Sequence, residues 1–153
     1  MKPIVITILC SFIMVGTIKA DQLGVPKEVE ALFPTDGKNT VIVRLDHEDN
    51  VYVLLENNDG EVGALFLYRF DNQTQTALVL KASESLFPFD PQDSRTPPKE
   101  IQTALAKAWA EHVAANYPGG IVKMTEYWKA NQVGWKQLPE ELREAFEEVG
   151  VKL

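Results

Sequence analysis

The residues best suited to acid–base or metal chemistry lie in one short acidic run. Asp46-His47-Glu48-Asp49 places an imidazole among carboxylates, and carboxylate oxygens are the ligands that Ca²⁺ and Mg²⁺ prefer. Asp46, Glu48 and Asp49 are therefore the candidate metal ligands. Consecutive residues in a tight turn point in different directions, however, so the run favours a solvated turn over a closed coordination shell. We expect no bound metal and no cofactor.

The second histidine, His112, lies on the apolar face of a predicted helix beside Trp109. A single histidine in that setting is typical of a core residue with one satisfied hydrogen bond. The alternative function is a small exported hydrolase. Its acid–base group would be His112 or a carboxylate pair. No spacing among the 22 acidic residues singles out such a pair. The sequence also has no nucleophile elbow, phosphate-binding loop or dinucleotide fingerprint, so it favours a non-catalytic protein.

An aromatic and locally basic segment is the better candidate for binding. The three tryptophans occur between Trp109 and Trp135, and three lysines are interleaved with the later two. Exposed rings can stack on sugars or anchor a protein partner. The candidate binding residues are Trp128, Trp135, Tyr127, Lys129, Phe87 and Phe89. In the alternative interpretation, Trp128 and Trp135 complete the core while the lysine stems reach outward.

The elements that must position these residues begin with an antiparallel meander. Alternation of apolar and polar residues predicts four strands, and Asp59-Gly60 indicates a hairpin because tight turns need residues that tolerate positive φ. A short helix is expected before the first strand, from Pro26. The strands are expected at Thr40–Asp46, Val51–Glu56, Ala64–Phe70 and Thr74–Lys81.

The third predicted strand is apolar on both faces. Ala64, Phe66 and Tyr68 alternate with Leu65 and Leu67, whereas a sheet with one wet face would alternate apolar with polar residues. We expect helices to cover one face. A second subunit could cover the other face, so a homodimer through the sheet is left open as an alternative.

Helical periodicity follows a proline-rich connection at residues 83–98. Leu86, Phe87 and Phe89 in this connection indicate a segment packed against the body rather than a free linker. A long helix is predicted over residues 98–116 and a short C-terminal helix over residues 139–149. Residues 121–132 fit either a helix or a strand.

The first twenty residues are typical of a secretory signal peptide. Lys2 precedes an apolar run from Ile4 to Ile18, and Ala20 supplies a small residue at the cleavage site. The run is too short for a transmembrane helix, which needs ~20 apolar residues, so we expect no stable membrane insertion after cleavage. Cleavage removes Cys10, the only cysteine. Export without disulfides favours a periplasm over an extracellular fluid.

Cleavage also makes the net charge of the chain more negative. Without Lys2 and Lys19, 13 basic residues face 22 acidic ones, a net charge of −9. Nucleic acid is excluded as a partner because it requires clustered lysine and arginine. We expect residues 21–153 to form a single α+β domain, with the long helix packed on the four-stranded antiparallel meander. The predicted function is an exported binding or interaction module for a protein or glycan. The alternatives are the hydrolase and a structural or assembly subunit.

Overall fold

The computed structural model describes residues 23–58, 63–117 and 119–153. The predicted signal peptide and the Asp59-Gly60 turn lie outside these residues. The chain divides between Leu86 and Phe87 into two compact units, which we call the sheet unit and the helical unit. None of the described helices combines the length and the apolar content needed to cross a membrane.

The sheet unit contains one short helix and four strands in its described residues. Helix α1 spans Lys27–Glu30, and the strands are β1 (Lys38–His47), β2 (Asn50–Asn58), β3 (Ala64–Asp71) and β4 (Thr76–Ser83). Each strand pairs antiparallel with the next one along the chain, in the order β1-β2-β3-β4. The predicted four-stranded antiparallel meander is confirmed.

The turn before β4 is longer than predicted. The Asp71 Oδ1 atom accepts hydrogen bonds from the backbone N–H groups of Gln73 at 2.8 Å and Thr74 at 3.3 Å. Gln75 then adopts a left-handed φ of 57°. Because the aspartate side chain stabilises this turn, Thr74 is kept out of the strand and β4 begins at Thr76.

Both faces of the sheet are apolar, as the pattern of the third strand predicts. On one face, α1 and the segment before it pack on the strands. The buried residues there are Leu23, Val25, Val29, Val41, Val51, Val53, Leu55, Tyr68 and Phe70. On the other face Leu45, Leu54 and Leu67 are buried as well. Both sets of apolar residues are thus removed from water, which is the main source of stability for a protein of this size.

Arg44 fastens the segment before α1 to the sheet. Its Nη1 atom donates to the carbonyl oxygen of Leu23 at 3.3 Å and to that of Gly24. Its Nη2 atom forms an ion pair with Asp46 at 3.0 Å. Hydrogen bonds from an ionised donor are among the stronger ones in proteins, so Arg44 holds the start of the described chain against β1.

The helical unit contains four helices in its described residues: α2 (Lys99–Asn116), α3 (Gly120–Ala130), α4 (Gln132–Gln137) and α5 (Glu140–Glu148). The long helix and the short C-terminal helix are confirmed, and with the sheet they confirm the α+β class. Residues 121–132, which fitted either a helix or a strand, are helical except at Asn131, the residue between α3 and α4. Helix α4 was not predicted.

Helices α2 and α5 lie side by side and run in the same direction. Lys99 Nζ is 2.9 Å from Glu141 Oε1, and Lys107 Nζ is 3.7 Å from Glu148 Oε2. The side-chain hydrogen bond between Lys99 and Glu141 raises the pKa of the ammonium group and lowers the pKa of the carboxyl group. Exposed ion pairs contribute little stability. The buried face of α2, which includes Ile101, therefore contributes most of its stabilisation.

Candidate binding surface

Five aromatic rings from the four helices of the helical unit form a connected cluster. Phe146 lies at its centre, with the ring centroids of Trp109, Trp128 and Trp135 at 5.9, 6.5 and 6.3 Å. Trp128 is also 5.4 Å from Trp135 and 4.9 Å from Tyr127. The rings are tilted or edge-to-face, which is the favourable arrangement for aromatic pairs at these separations. We call these five residues the aromatic cluster.

Exposure rises along the aromatic cluster from the interior to solvent. Phe146 is buried, Trp135 is only 7% exposed, and Tyr127 is 57% exposed. Trp128 is half-buried between them, and its Nε1 atom is buried with no hydrogen-bond partner among the described groups. Trp135 is therefore a core residue, as the alternative interpretation of the sequence expected. Tyr127 is the ring of the cluster best placed to meet a partner.

A corner at Asn131 splits this part of the chain into two short helices. Asn131 leaves helical geometry with φ −124° and ψ 55°, and its side chain accepts a hydrogen bond from the backbone N–H of Gly134 at 3.2 Å. A Cβ atom at Gly134 would lie 2.7 Å from the Asn131 Nδ2 atom, so a larger residue there would displace the Asn131 side chain from this hydrogen bond. Asparagine is a favoured residue at helix N-termini. The pair is thus the sequence signal for α4, which periodicity alone does not reveal.

Around Tyr127 the solvent-facing side of α3 and α4 combines apolar and basic side chains. Val122 is 64% and Val133 is 70% exposed, and Lys123 and Lys129 are exposed as well. On α3, Val122 lies two turns from Lys129 and Lys123 lies one turn from Tyr127, so each pair forms one solvent-facing row of the helix. We call Val122, Lys123, Tyr127, Lys129 and Val133 the α3–α4 surface.

The two phenylalanines of the proline-rich connection begin the helical unit. Their ring centroids are 5.2 Å apart and their planes are nearly perpendicular, at 79°. Phe87 is buried and Phe89 is half-buried, so this part of the connection is packed rather than free. Phe87 has little surface to offer a partner, and of the two rings only Phe89 has accessible area for the predicted binding role.

His112 is half-buried near the C-terminal end of α2. The Asn116 Nδ2 atom is 3.2 Å from its Nδ1 atom and donates to its carbonyl oxygen at 2.9 Å. The Tyr117 ring lies edge-on at 6.2 Å. An amide donor at Nδ1 makes that nitrogen an acceptor and leaves the proton of the neutral ring on Nε2. In a catalytic triad Nδ1–H instead donates a hydrogen bond to a carboxylate, so the contact at Nδ1 of His112 differs from that of a triad histidine.

The acidic run lies at the β1–β2 turn, and two of its carboxylates have separate partners. Asp46 pairs with Arg44 at 3.0 Å, and the Asp49 Oδ2 atom accepts a hydrogen bond from Gln73 at 2.8 Å. Glu48 is exposed with a left-handed φ of 55°. In the part of the chain that the structure describes, no group of three or more histidine, cysteine or acidic side chains is placed to hold a metal ion.

The predicted binding residues Tyr127, Trp128, Lys129 and Trp135 thus come together on α3 and α4. Sequence reasoning missed Val122 and Val133, because a valine within a helical segment is ordinarily assigned to the buried side. No protein-family model, curated protein or solved structure matches this chain. The candidate site therefore rests on the geometry and charge of the α3–α4 surface.

Proposed function

We propose that the mature protein is an exported, non-catalytic binding module that takes up a partner through the α3–α4 surface. The observation that carries this proposal is the exposure of Val122, Tyr127 and Val133, each more than half exposed on a short segment. Several exposed apolar side chains on one short segment, interspersed with charged residues, are typical of interaction sites. The predicted signal peptide indicates that the partner is met in the exported compartment.

Contacts within the aromatic cluster fix the position of the Tyr127 ring on this surface. Trp128 links Tyr127 to Phe146 through ring separations of 4.9 and 6.5 Å, so an exposed ring is held by a buried one. A ring that is already positioned loses little conformational entropy when it is covered by a partner. Full burial of a large apolar side chain contributes roughly 1.5–3 kcal/mol. Three such anchors support weak and reversible binding, with a Kd of about micromolar or higher.

The experiment is capture of proteins from the exported fraction of the source cell on the immobilised mature chain, residues 21–153. The surface variant changes Val122, Tyr127 and Val133 to serine together. Because all three side chains are largely in solvent, the variant is expected to fold, which its far-UV circular dichroism will verify. We expect the unmodified chain to retain a discrete set of proteins that the surface variant loses.

The matched control changes three apolar residues outside the α3–α4 surface, Leu32, Val79 and Leu153, to serine. Their exposures are 40%, 37% and 49%, so the control likewise replaces three exposed apolar side chains. It should retain the same proteins as the unmodified chain. Equal retention by all three proteins would show that the α3–α4 surface is not the binding site. Trp135 is left unchanged because it is a core residue.

A further inference from the structure

The α3–α4 surface lies in a part of the mature chain where lysines are interleaved with aromatic residues and outnumber the acids. Residues 119–137 hold Lys123, Lys129 and Lys136 against the single acid Glu126, a local charge of +2. The mature chain as a whole carries −9, so the remaining residues carry −11. Such separation of charge produces a local positive potential on an acidic protein.

The three lysines are available to a partner. All are exposed. Lys99 and Lys107 form ion pairs with glutamates of α5, whereas no ion pair of Lys123, Lys129 or Lys136 is present among the described residues. The ammonium groups of residues 119–137 are therefore free of the internal pairing seen on α2.

The apolar part of the surface fits a protein segment better than a sugar. Sugar rings stack on flat aromatic faces, and the α3–α4 surface offers one exposed ring, Tyr127, whose neighbour Trp128 lies edge-on to it at 4.9 Å. The other two exposed apolar groups, Val122 and Val133, are aliphatic. Aliphatic groups pack well against leucine, valine or aromatic side chains of another protein.

We propose that the occupant of the α3–α4 surface is an acidic protein segment that carries apolar anchor side chains. This inference rests on the proposed function and specifies the partner. Carboxylates of the segment pair with Lys123, Lys129 and Lys136, and its apolar side chains cover Val122 and Tyr127. The acidic remainder of the chain repels the same segment, so electrostatics direct it to the α3–α4 surface and set its orientation there.

The experiment is selection of peptides from a random display library on the immobilised mature chain. The enriched peptides are then synthesised and their affinities measured by fluorescence anisotropy. We expect sequences with net negative charge and several apolar residues. Their affinity should fall several-fold as salt rises from roughly 50 to 500 mM, because screening weakens exposed charge pairs.

A variant with Lys123→Gln, Lys129→Gln and Lys136→Gln tests the charge directly. It should bind the selected peptides about tenfold more weakly, as expected for the loss of three exposed ion pairs. The matched control, Lys27→Gln with Lys38→Gln and Lys152→Gln, removes equal charge elsewhere and should bind as the unmodified chain does. Both variants change solvent-exposed side chains, so loss of folding is not expected.

The outcomes separate the two proposals. Neutral or basic peptides that the serine surface variant fails to bind would overturn the acidic partner and leave the binding surface standing. Peptides that bind the serine surface variant unchanged would overturn the surface itself. Saturable binding of polygalacturonate to the α3–α4 surface, with no enrichment of acidic peptides, would replace the protein segment with an anionic glycan.

Discussion

Tyr68 lies in the core of the sheet unit, and its removal tests how that core is built. Its side chain is fully buried, and its hydroxyl donates to the carbonyl oxygen of Leu32 at 3.2 Å. Its ring centroid is 5.4 Å from that of Phe33 and 6.4 Å from that of Phe66. Burial raises the pKa of Tyr68 to about 12 from 10.0. The phenol is thus far more easily ionised in the unfolded chain than in the folded one.

This difference predicts a specific dependence of stability on pH. A shift of about 2 pKa units corresponds to roughly 2.7 kcal/mol between the two protonation states. Because the folded pKa is the higher one, the stabilisation is fully present below about pH 10 and is lost as the pH rises through about 12. At about pH 11 the loss is about 1.4 kcal/mol. In Tyr68→Phe this loss is absent, and the variant instead lacks one hydrogen bond, which costs about 0.5–1.5 kcal/mol at neutral pH.

The assay is urea denaturation of the mature chain and of Tyr68→Phe at about pH 8 and about pH 11, the two sides of the unfolded tyrosine pKa. Far-UV circular dichroism follows the whole chain, and tryptophan fluorescence follows the helical unit, which holds Trp109, Trp128 and Trp135. Coincident curves would support the predicted single domain. Tyr127→Phe, which changes an exposed ring, is the matched control.

At about pH 8 we expect the unmodified chain to have a higher unfolding free energy than Tyr68→Phe. At about pH 11 we expect this difference in unfolding free energy to vanish or to change sign. Burial also raises the pKa of Tyr52, but that residue is present in both proteins and cancels from the difference. A gap between the two proteins that stays constant over this pH range would refute the reasoning, since a buried phenol cannot ionise without cost in the folded state.

Three further substitutions test other contacts. Trp128→Phe removes a buried donor that has no acceptor, and this gain offsets part of the ring packing that is lost. Its unfolding free energy, measured by urea denaturation, should lie within about 1 kcal/mol of that of the unmodified chain. A loss above about 2 kcal/mol would show that the lost ring packing outweighs the removal of the unpaired donor. Gly120→Ala places a Cβ atom 2.5 Å from the Ala114 carbonyl oxygen at a φ of +36°, and should lower stability by about 1–3 kcal/mol, measured by thermal denaturation. Arg44→Met removes the donor to the Leu23 carbonyl oxygen and should cost about 1.5–3 kcal/mol, with faster hydrogen exchange in α1; unchanged exchange would contradict its fastening role.

Local signals determined most of the sheet. Alternation placed all four strands within a few residues of their observed ends, because period-two burial on a pleated strand leaves a direct trace in the sequence. The start of β4 was missed because the turn depends on one side chain, that of Asp71, accepting hydrogen bonds from the backbone at Gln73 and Thr74. The alternation of apolar and polar residues does not predict such hydrogen bonds between a side chain and the backbone.

The helical unit was harder to predict in its second half. Helix α2 has a proline start and a continuous apolar stripe, and both features appear in the sequence. Helices α3 and α4 are short, and their boundary is the Asn131 and Gly134 contact. Glycine has a low helix propensity, so Gly134 argues against a helix in this part of the sequence. The sequence therefore does not predict α4, whose helical conformation depends on tertiary packing.

In the candidate site, residue type alone does not predict which side chains are exposed. Tyr127, Trp128 and Trp135 look alike in the sequence as neighbouring aromatic residues of a basic segment. The structure gives them different surroundings: Trp135 is in the core, Trp128 is half-buried and Tyr127 is in solvent. Val122 and Val133 were not considered for binding because nothing in the sequence shows that these apolar residues stay exposed.

The sequence by itself determined the α+β class, the antiparallel meander, the acidic charge and the basic character of residues 119–137, since each depends on residue type and local spacing. Only the tertiary structure decided which side chains of that basic segment are available to a partner. Exposure depends on what the other helices cover, and Phe146 of α5 packs against Trp128 of α3 and Trp135 of α4. The α3–α4 surface is what remains in solvent after that packing.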